Sequence, residues 1–82
     1  MSDHPAIDPA APKLVYVQVA DDITARIKAG EFAPGARLPA ERDLATEYGV
    51  AYDTIRRASA LLRDRGLIIT IIGRGTYVKP SD

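Results

Sequence analysis

Apolar residues recur at intervals of three and four positions through residues 15–29, with charged residues between them. This is the spacing of one face of an α-helix, so the stretch predicts an amphipathic helix that ends at Gly30. The side chains expected on its buried face are Tyr16, Val19, Ala20, Ile23 and Ile27.

A second helix is expected over residues 39–48, with Pro39 in its first turn. Gly49 permits a sharp turn after it, and Val50 returns the chain to the core. The side chains expected to face inward are Leu44, Ala45 and Tyr48.

A third helix is expected over residues 52–65, stopping at Gly66. Its inward arc consists of Ile55, Ala58, Leu61 and Leu62. At about 100° per residue, the opposite arc consists of Tyr52, Asp53, Arg56, Arg57 and Arg63. That arc is polar and basic, so it is left open for a partner.

Residues 67–72 and 76–79 are rich in β-branched and aromatic side chains, and Gly73-Arg74-Gly75 between them is typical of a hairpin turn. A brief strand is also expected at Arg37-Leu38. The predicted fold class is mainly α with a small β hairpin. Three helices and a two-stranded wing in this order make a winged helix-turn-helix.

The chain of 82 residues is expected to form one domain. Residues 1–12 contain Pro5, Pro9 and Pro12 with little to bury, so they predict a disordered N-terminal tail. Residues 13–79 are expected to form the winged helix, and residues 80–82 the start of a linker or the C-terminal end.

Composition argues against several classes of function. Cysteine is absent and His4 is the single histidine, so no cofactor, no metal site and no enzyme activity are expected. No apolar run approaches the roughly 20 residues that cross a bilayer, and the acidic N-terminus is unlike a signal peptide. These features predict no membrane association and a cytoplasmic location. The chain is too short to hold a ligand-binding pocket of ordinary size beside the winged helix, so we expect no effector ligand to be bound by it.

The formal net charge is zero, but the charges are unevenly placed. Residues 1–53 carry five basic and nine acidic side chains. Residues 54–79 carry one acidic side chain, Asp64, and six basic ones: Arg56, Arg57, Arg63, Arg65, Arg74 and Lys79. This local excess suits a surface that faces phosphates.

Several motifs, in order, resemble the N-terminal DNA-binding domain of the GntR family of bacterial transcription regulators, most closely its HutC and YtrA branches. They are L-P-x-E-R-x-L-A, Y-G-V, T-I-R-R-A and G-R-G-T-Y-V, within residues 13–79. The resemblance implies binding of double-stranded DNA at twofold-symmetric operators, as a homodimer and usually as a repressor. The family usually has serine where this chain has Ala40 and Ala51.

The resemblance also implies roles for particular residues. Arg42 in the second helix matches an arginine that contacts a base or a phosphate. The wing tip, Gly73 and Arg74, is implied to enter the minor groove. The third helix corresponds to the recognition helix of the family. Its start is implied to face DNA, through Tyr52, Asp53, Thr54 and Arg56.

The chemistry of these side chains supports the same roles independently. The forked guanidinium of Arg56 suits the O6 and N7 atoms of guanine. Tyr52 suits a phosphate or a thymine methyl, Asp53 a cytosine amino group, and Thr54 a phosphate. Arg57 suits either a phosphate or an ion pair along the helix.

Structural alternatives exist for three of them. Asp53 lies in a first helical turn, where the helix dipole favours a carboxylate, and it can pair with Arg56 or Arg57. Arg42 can pair with Glu41 or Glu47, and Arg74 can be a solvated turn residue. For the whole domain, the alternative is a protein-protein interaction module that binds through Ile71 and Ile72 without DNA.

Overall fold

The computed structural model describes residues 4–80, which fold into three helices and a hairpin. The helices are α1 (Val15–Lys28), α2 (Glu41–Tyr48) and α3 (Tyr52–Asp64), and the strands are β1 (Ile68–Ile71) and β2 (Gly75–Val78). The predicted fold class is confirmed. One boundary differs: Pro39 lies just before α2 and not in its first turn, because Ala40 is the N-cap residue.

The core lies where the three helices meet the root of the hairpin. Val19 and Ile23 of α1, Tyr48 of α2, and Ile55 and Leu62 of α3 are its largest fully buried side chains. The predicted inward arc of α3 is confirmed, since Ile55, Ala58 and Leu62 are buried and Leu61 packs against them. Burial of this arc fixes the rotation of α3 about its axis, and therefore decides which side chains face outward.

The turn between α2 and α3 depends on two adjacent residues. Gly49 adopts a left-handed backbone conformation with φ of 66°. Residues with a Cβ atom adopt this conformation only at a cost in free energy. The amide of Val50 then donates to the carbonyl of Ala45 at 3.0 Å, and the Val50 side chain packs on the core. The turn predicted from Y-G-V is confirmed.

The wing is an antiparallel pair in which Ile68 faces Val78 and Thr70 faces Thr76. The segment before α2 pairs with the other edge of β2. The Leu38 amide donates to the Thr76 carbonyl at 2.8 Å, and Arg37 forms an isolated bridge with Tyr77. The brief strand expected at Arg37-Leu38 is thus a short pairing that secures the root of the wing.

The N-terminal segment differs from the prediction of disorder. Residues 4–12 lie against α1, with Ile7 buried in the core. Asp8 donates its amide to Gln18 Oε1 at 2.7 Å, and Gln18 Nε2 donates to the carbonyls of Asp8 and Lys13 at 2.9 and 2.7 Å. Three prolines suggested an unattached tail, but Ile7, the Gln18 amide and the His4 ring, whose centroid lies 4.5 Å from that of Tyr48, attach it to the domain. Residues 1–3 and 81–82 lie outside the described part.

The same contacts correct the prediction for the buried face of α1. Gln18 is buried there although it is polar, because its amide satisfies backbone groups of the N-terminal segment. Tyr16, expected to be buried, is only partly so, and it lines an open groove with Arg57 and Ala60 of α3.

Candidate nucleic-acid interface

The outer arc of α3 is a continuous polar surface. Tyr52, Asp53, Arg56 and Arg57 are exposed, whereas Thr54 is partly buried. The four exposed side chains lie on the side of α3 opposite the buried arc that packs on the core. The structure therefore brings together all the residues proposed from the start of the recognition helix.

Asp53 and Arg57 form an ion pair one turn apart on α3. The Asp53 Oδ2 to Arg57 Nε distance is 3.1 Å, and both side chains are about two-thirds exposed, at 64% and 68%. Of the two partners proposed for Asp53, the structure selects Arg57. An exposed pair at this spacing contributes about 0.3–0.5 kcal/mol, so it orients both groups without holding them strongly.

Arg37, Arg42, Arg56 and Arg74 differ from the other four arginines. Among residues 4–80, their guanidinium groups take part in no hydrogen bond or ion pair. The pairing proposed between Arg42 and Glu41 or Glu47 is not seen. Glu47 accepts from Arg26 at 2.7 Å, and Glu41 accepts from the Tyr52 hydroxyl at 3.3 Å. Four guanidinium groups are thus left to interact with a ligand.

An open groove separates α3 from the wing. Its lining combines basic side chains, hydroxyl groups and two carboxylates: Arg56, Arg57, Arg63, Thr70, Thr76, Glu41 and Asp53. At the C-terminal end of α3, Arg63 Nη1 donates to Thr70 Oγ1 at 3.0 Å, and Thr70 Oγ1 lies 3.3 Å from Thr76 Oγ1. The groove therefore presents the type of donors that bind phosphate oxygens.

The tip of the wing is a four-residue turn from Ile71 to Arg74. The Arg74 amide donates to the Ile71 carbonyl at 2.9 Å, and Gly73 has a φ of 80°, as the third residue of a type II turn requires. Arg74 and Ile72 are exposed there, Ile72 almost completely at 96%.

Arg37 is a basic residue of this region that the sequence did not single out. A Cβ atom added to Gly75 would lie 2.7 Å from Arg37 Nε, so the Arg37 side chain lies directly over the start of β2. Nothing in the sequence signals this contact, because the two residues are far apart along the chain.

The remaining ion pairs position the helices. Arg65 bonds to Asp21 at 2.9 Å and to Thr24 at 3.2 Å, which ties the end of α3 to α1. Lys13 bonds to the other oxygen of Asp21 at 2.8 Å. The hydrogen bond from Lys13, reinforced by Arg65, holds the pKa of Asp21 below its usual value.

A second network holds α2 against α1. Tyr48 donates its hydroxyl to Asp22 at 2.5 Å and accepts from Arg26 Nη1 at 2.9 Å. Burial and the bond to Asp22 raise the pKa of Tyr48, so the phenol stays protonated. The Arg26 guanidinium also stacks over the ring of Phe32, 4.4 Å from its centroid. This network fixes α2, and with it the place of Arg42.

Comparison with known proteins now decides the family. The pattern described as "Bacterial regulatory proteins, gntR family" matches residues 15–78, which include all three helices and the wing. The chain belongs to the GntR family.

This GntR chain is 37% identical over 76 residues to the HTH-type transcriptional repressor NagR of Bacillus subtilis (strain 168). The alignment covers 92% of the chain and 31% of NagR, so the chain spans about a third of that relative's length. Its relatives are transcription regulators.

Solved structures agree with this assignment. YtrA from Sulfolobus acidocaldarius, a GntR-family transcription factor, superposes with a TM-score of 0.83 at 37% identity, covering 93% of this chain and 80% of YtrA. AraR(DBD) in complex with operator ORE1 superposes with a TM-score of 0.74 at 36% identity, covering 77% of each chain. The expected resemblance, the winged helix-turn-helix fold and a function in DNA-binding transcription regulation are confirmed at the level of the family.

Two further observations concern residues 4–80. No helix in this part of the GntR chain is long and apolar enough to span a membrane. Within the same residues, no cluster of three or more His, Cys, Asp or Glu side chains is placed to hold a metal ion.

Proposed function

We propose that this domain reads a double-stranded DNA operator, with α3 in the major groove and the wing tip in the flanking minor groove. The observation that carries the proposal is the state of Arg56. Its side chain stands on the exposed arc of a helix whose other arc is buried, and it has no partner among residues 4–80. An exposed guanidinium without a protein partner can donate both of its hydrogen bonds to guanine O6 and N7.

The other residues follow from their positions. Arg74, exposed beside Gly73 at the tip, is proposed to enter the minor groove, where negative potential attracts arginine. Tyr52 and Thr54 are proposed to contact phosphates or a thymine methyl, and Arg42 a phosphate or a base. Asp53 and Arg57 are proposed to act as a pair, with Arg57 reaching a phosphate only by leaving Asp53.

The assembly proposed on DNA is a homodimer on a twofold-symmetric operator, with recognition helices about 34 Å apart, one turn of the duplex. Occupying the operator would block transcription, as the name of the repressor NagR indicates for that relative. The site of action proposed is the cytoplasm, where operators of bacterial regulators lie. The grooves described on residues 4–80 are open to solvent, and the proposal includes no effector ligand, cofactor or catalytic role for this domain.

The test is selection of bound duplexes from a random pool by the wild type, Arg56→Ala and the charge-matched control Lys28→Ala. Lys28 lies in the last turn of α1. We expect the wild type and Lys28→Ala to enrich the same twofold-symmetric motif, and Arg56→Ala to lose preference at one guanine in each half-site. Absence of any enriched motif with the wild type would overturn the proposal.

A second candidate function rests on the exposed apolar side chains of the wing. Ile72 is 96% exposed, Ile71 42% and Ile69 39%. Such a strip suits binding to another protein. That function predicts a complex insensitive to salt, whereas duplex binding weakens steeply as salt rises because counterions are released.

A further inference from the structure

One contact joins the recognition helix to the wing. Arg63, in the last turn of α3, donates to Thr70 Oγ1 at 3.0 Å, and Thr70 faces Thr76 across the hairpin with 3.3 Å between their hydroxyl oxygens. The Arg63 guanidinium is therefore connected to both strands of the wing. Within residues 4–80, no other side-chain hydrogen bond links α3 to β1 or β2.

The packing of the wing explains why this contact matters. Ile68 anchors β1 in the core, but the next three residues, Ile69, Thr70 and Ile71, are all exposed. Beyond Ile68, β1 therefore has no buried apolar contact that sets its inclination, whereas β2 is partly buried at Gly75, Thr76 and Tyr77 and bonds to Leu38 through Thr76. Thr70 lies between this anchor and the tip, so a bond at Thr70 restrains the outer half of the wing.

We propose that Arg63 is a positioning residue that sets the angle between the recognition helix and the wing. It thereby couples the reading of the major groove by Arg56 to the minor-groove contact of Arg74. Arg63 lies seven residues, or about two helical turns, beyond Arg56 on the same exposed arc. This inference rests on the proposed function, because its consequence is read out on DNA.

The first measurement needs no DNA. Residual dipolar couplings of backbone amides report the orientation of β1 and β2 relative to α3 in the whole chain. Thr70→Val removes the hydroxyl that accepts from Arg63 but keeps the charge, the shape and the β-branched side chain. Thr24→Val is the matched control, since it removes the comparable bond from Arg65 on the other side of α3. We expect Thr70→Val to reorient or disorder the wing, and Thr24→Val to leave its orientation unchanged.

The second measurement compares two duplexes: the selected operator, and the same operator with the base pairs flanking the recognition-helix site scrambled. Thr70→Val and Arg63→Met are expected to weaken binding to the first by about fivefold, the scale of one lost hydrogen bond of ordinary strength in water. On the second duplex, where the wing has no preferred site, we expect both variants to weaken binding by less than on the first.

Three results would overturn the inference. The first is an unchanged wing orientation in Thr70→Val. The second is wild-type affinity for Thr70→Val together with a salt slope lowered by about one for Arg63→Met, which would make Arg63 a phosphate contact. The third is equal weakening on both duplexes. If the wild type itself selects no sequence, the proposed function fails, while the dipolar couplings still decide whether Arg63 positions the wing.

Discussion

Asp53 and Arg57 pair along α3, with 3.1 Å between Oδ2 and Nε, on the surface proposed to face DNA. In the proposed complex with DNA, the pair would place a carboxylate beside the phosphates and occupy a guanidinium that would otherwise bind them. The affinity for DNA is therefore expected to be lowered in two ways, because the Asp53 carboxylate repels phosphates and because Arg57 is held by Asp53.

Replacing Asp53 tests this expectation. Asp53→Asn should raise affinity for random-sequence duplex about threefold and steepen the slope of log K against log salt by about one, because Arg57 gains a phosphate and releases a counterion. Fluorescence anisotropy over a salt series measures both. Asp64→Asn, at the exposed C-terminal end of α3, is the control that removes the same charge. A slope unchanged from wild type would contradict the restraint of Arg57 by Asp53.

Ile55 should dominate the stability of the recognition helix. It is fully buried, so Ile55→Ala leaves a cavity and should lower the free energy of unfolding by about 2–5 kcal/mol. Ile72→Ala removes the same atoms at the wing tip, where the side chain is 96% exposed, and should change stability by less than about 0.5 kcal/mol. Urea denaturation followed by circular dichroism compares the two. Equal losses would show that Ile55 does not anchor α3.

Gln18 should hold the N-terminal segment in place. In Gln18→Ala the Asp8 amide loses its acceptor and two carbonyls lose their donor. Hydrogen exchange at Asp8 should therefore become faster by about tenfold or more, the scale of one lost buried hydrogen bond. The Leu38 amide, bonded to Thr76 at the wing, provides the internal reference and should exchange at its wild-type rate. Protection of Asp8 that survives the substitution would show that the contacts of Ile7 and His4 hold the segment without Gln18.

Asp21 should make a small, acid-sensitive contribution to stability. The hydrogen bond from Lys13 lowers the pKa of Asp21 in the folded state. The stabilisation is therefore present above the unfolded pKa, near 3.9, and is lost as the pH falls through the lower folded value. Asp21→Asn should be less stable than the wild type at pH 7 by up to about 1 kcal/mol, given the exposure of the pair.

Comparing the stability of wild type and Asp21→Asn at lower pH tests whether ionisation of Asp21 is the cause of the difference. Unfolding of wild type and Asp21→Asn, measured at several pH values between 7 and 2, should converge at the acid end. Asp43→Asn, which alters an exposed carboxylate of α2, controls for general charge. A gap of constant size at every pH would show that ionisation of Asp21 is not its source.

The secondary structure was predictable to within about a residue or two at most boundaries because its signals are local. The helical spacing of Ile55, Ala58 and Leu62 identified the buried arc of α3, and hence its exposed arc. Gly49 marked a turn that few other residues form at low cost. The roles of Arg42, Tyr52, Arg56 and Arg74 on DNA remain predictions, which the selection experiment tests.

Contacts between distant residues were not predictable in the same way. The attachment of residues 4–12 could not be predicted, because nothing in the sequence distinguishes Gln18 from other polar residues. Only the fold shows that its side-chain amide bonds to backbone groups of Asp8 and Lys13. Arg37 was missed because its neighbour, Gly75, comes from the opposite end of the domain.

By itself, the sequence determined three helices and a wing, the buried face of α3, and the family motifs that point to DNA, since all of these follow from periodicity and turn residues over a few positions. Only the tertiary structure decided which arginine side chains have a hydrogen-bond or ion-pair partner and which do not. Arg57 is restrained by Asp53, Arg63 by Thr70, and Arg65 by Asp21, whereas Arg56 and Arg74 have no partner among residues 4–80. The physical reason is that ion pairs and hydrogen bonds depend on distances of about 3 Å, and for groups far apart in the chain only packing sets those distances.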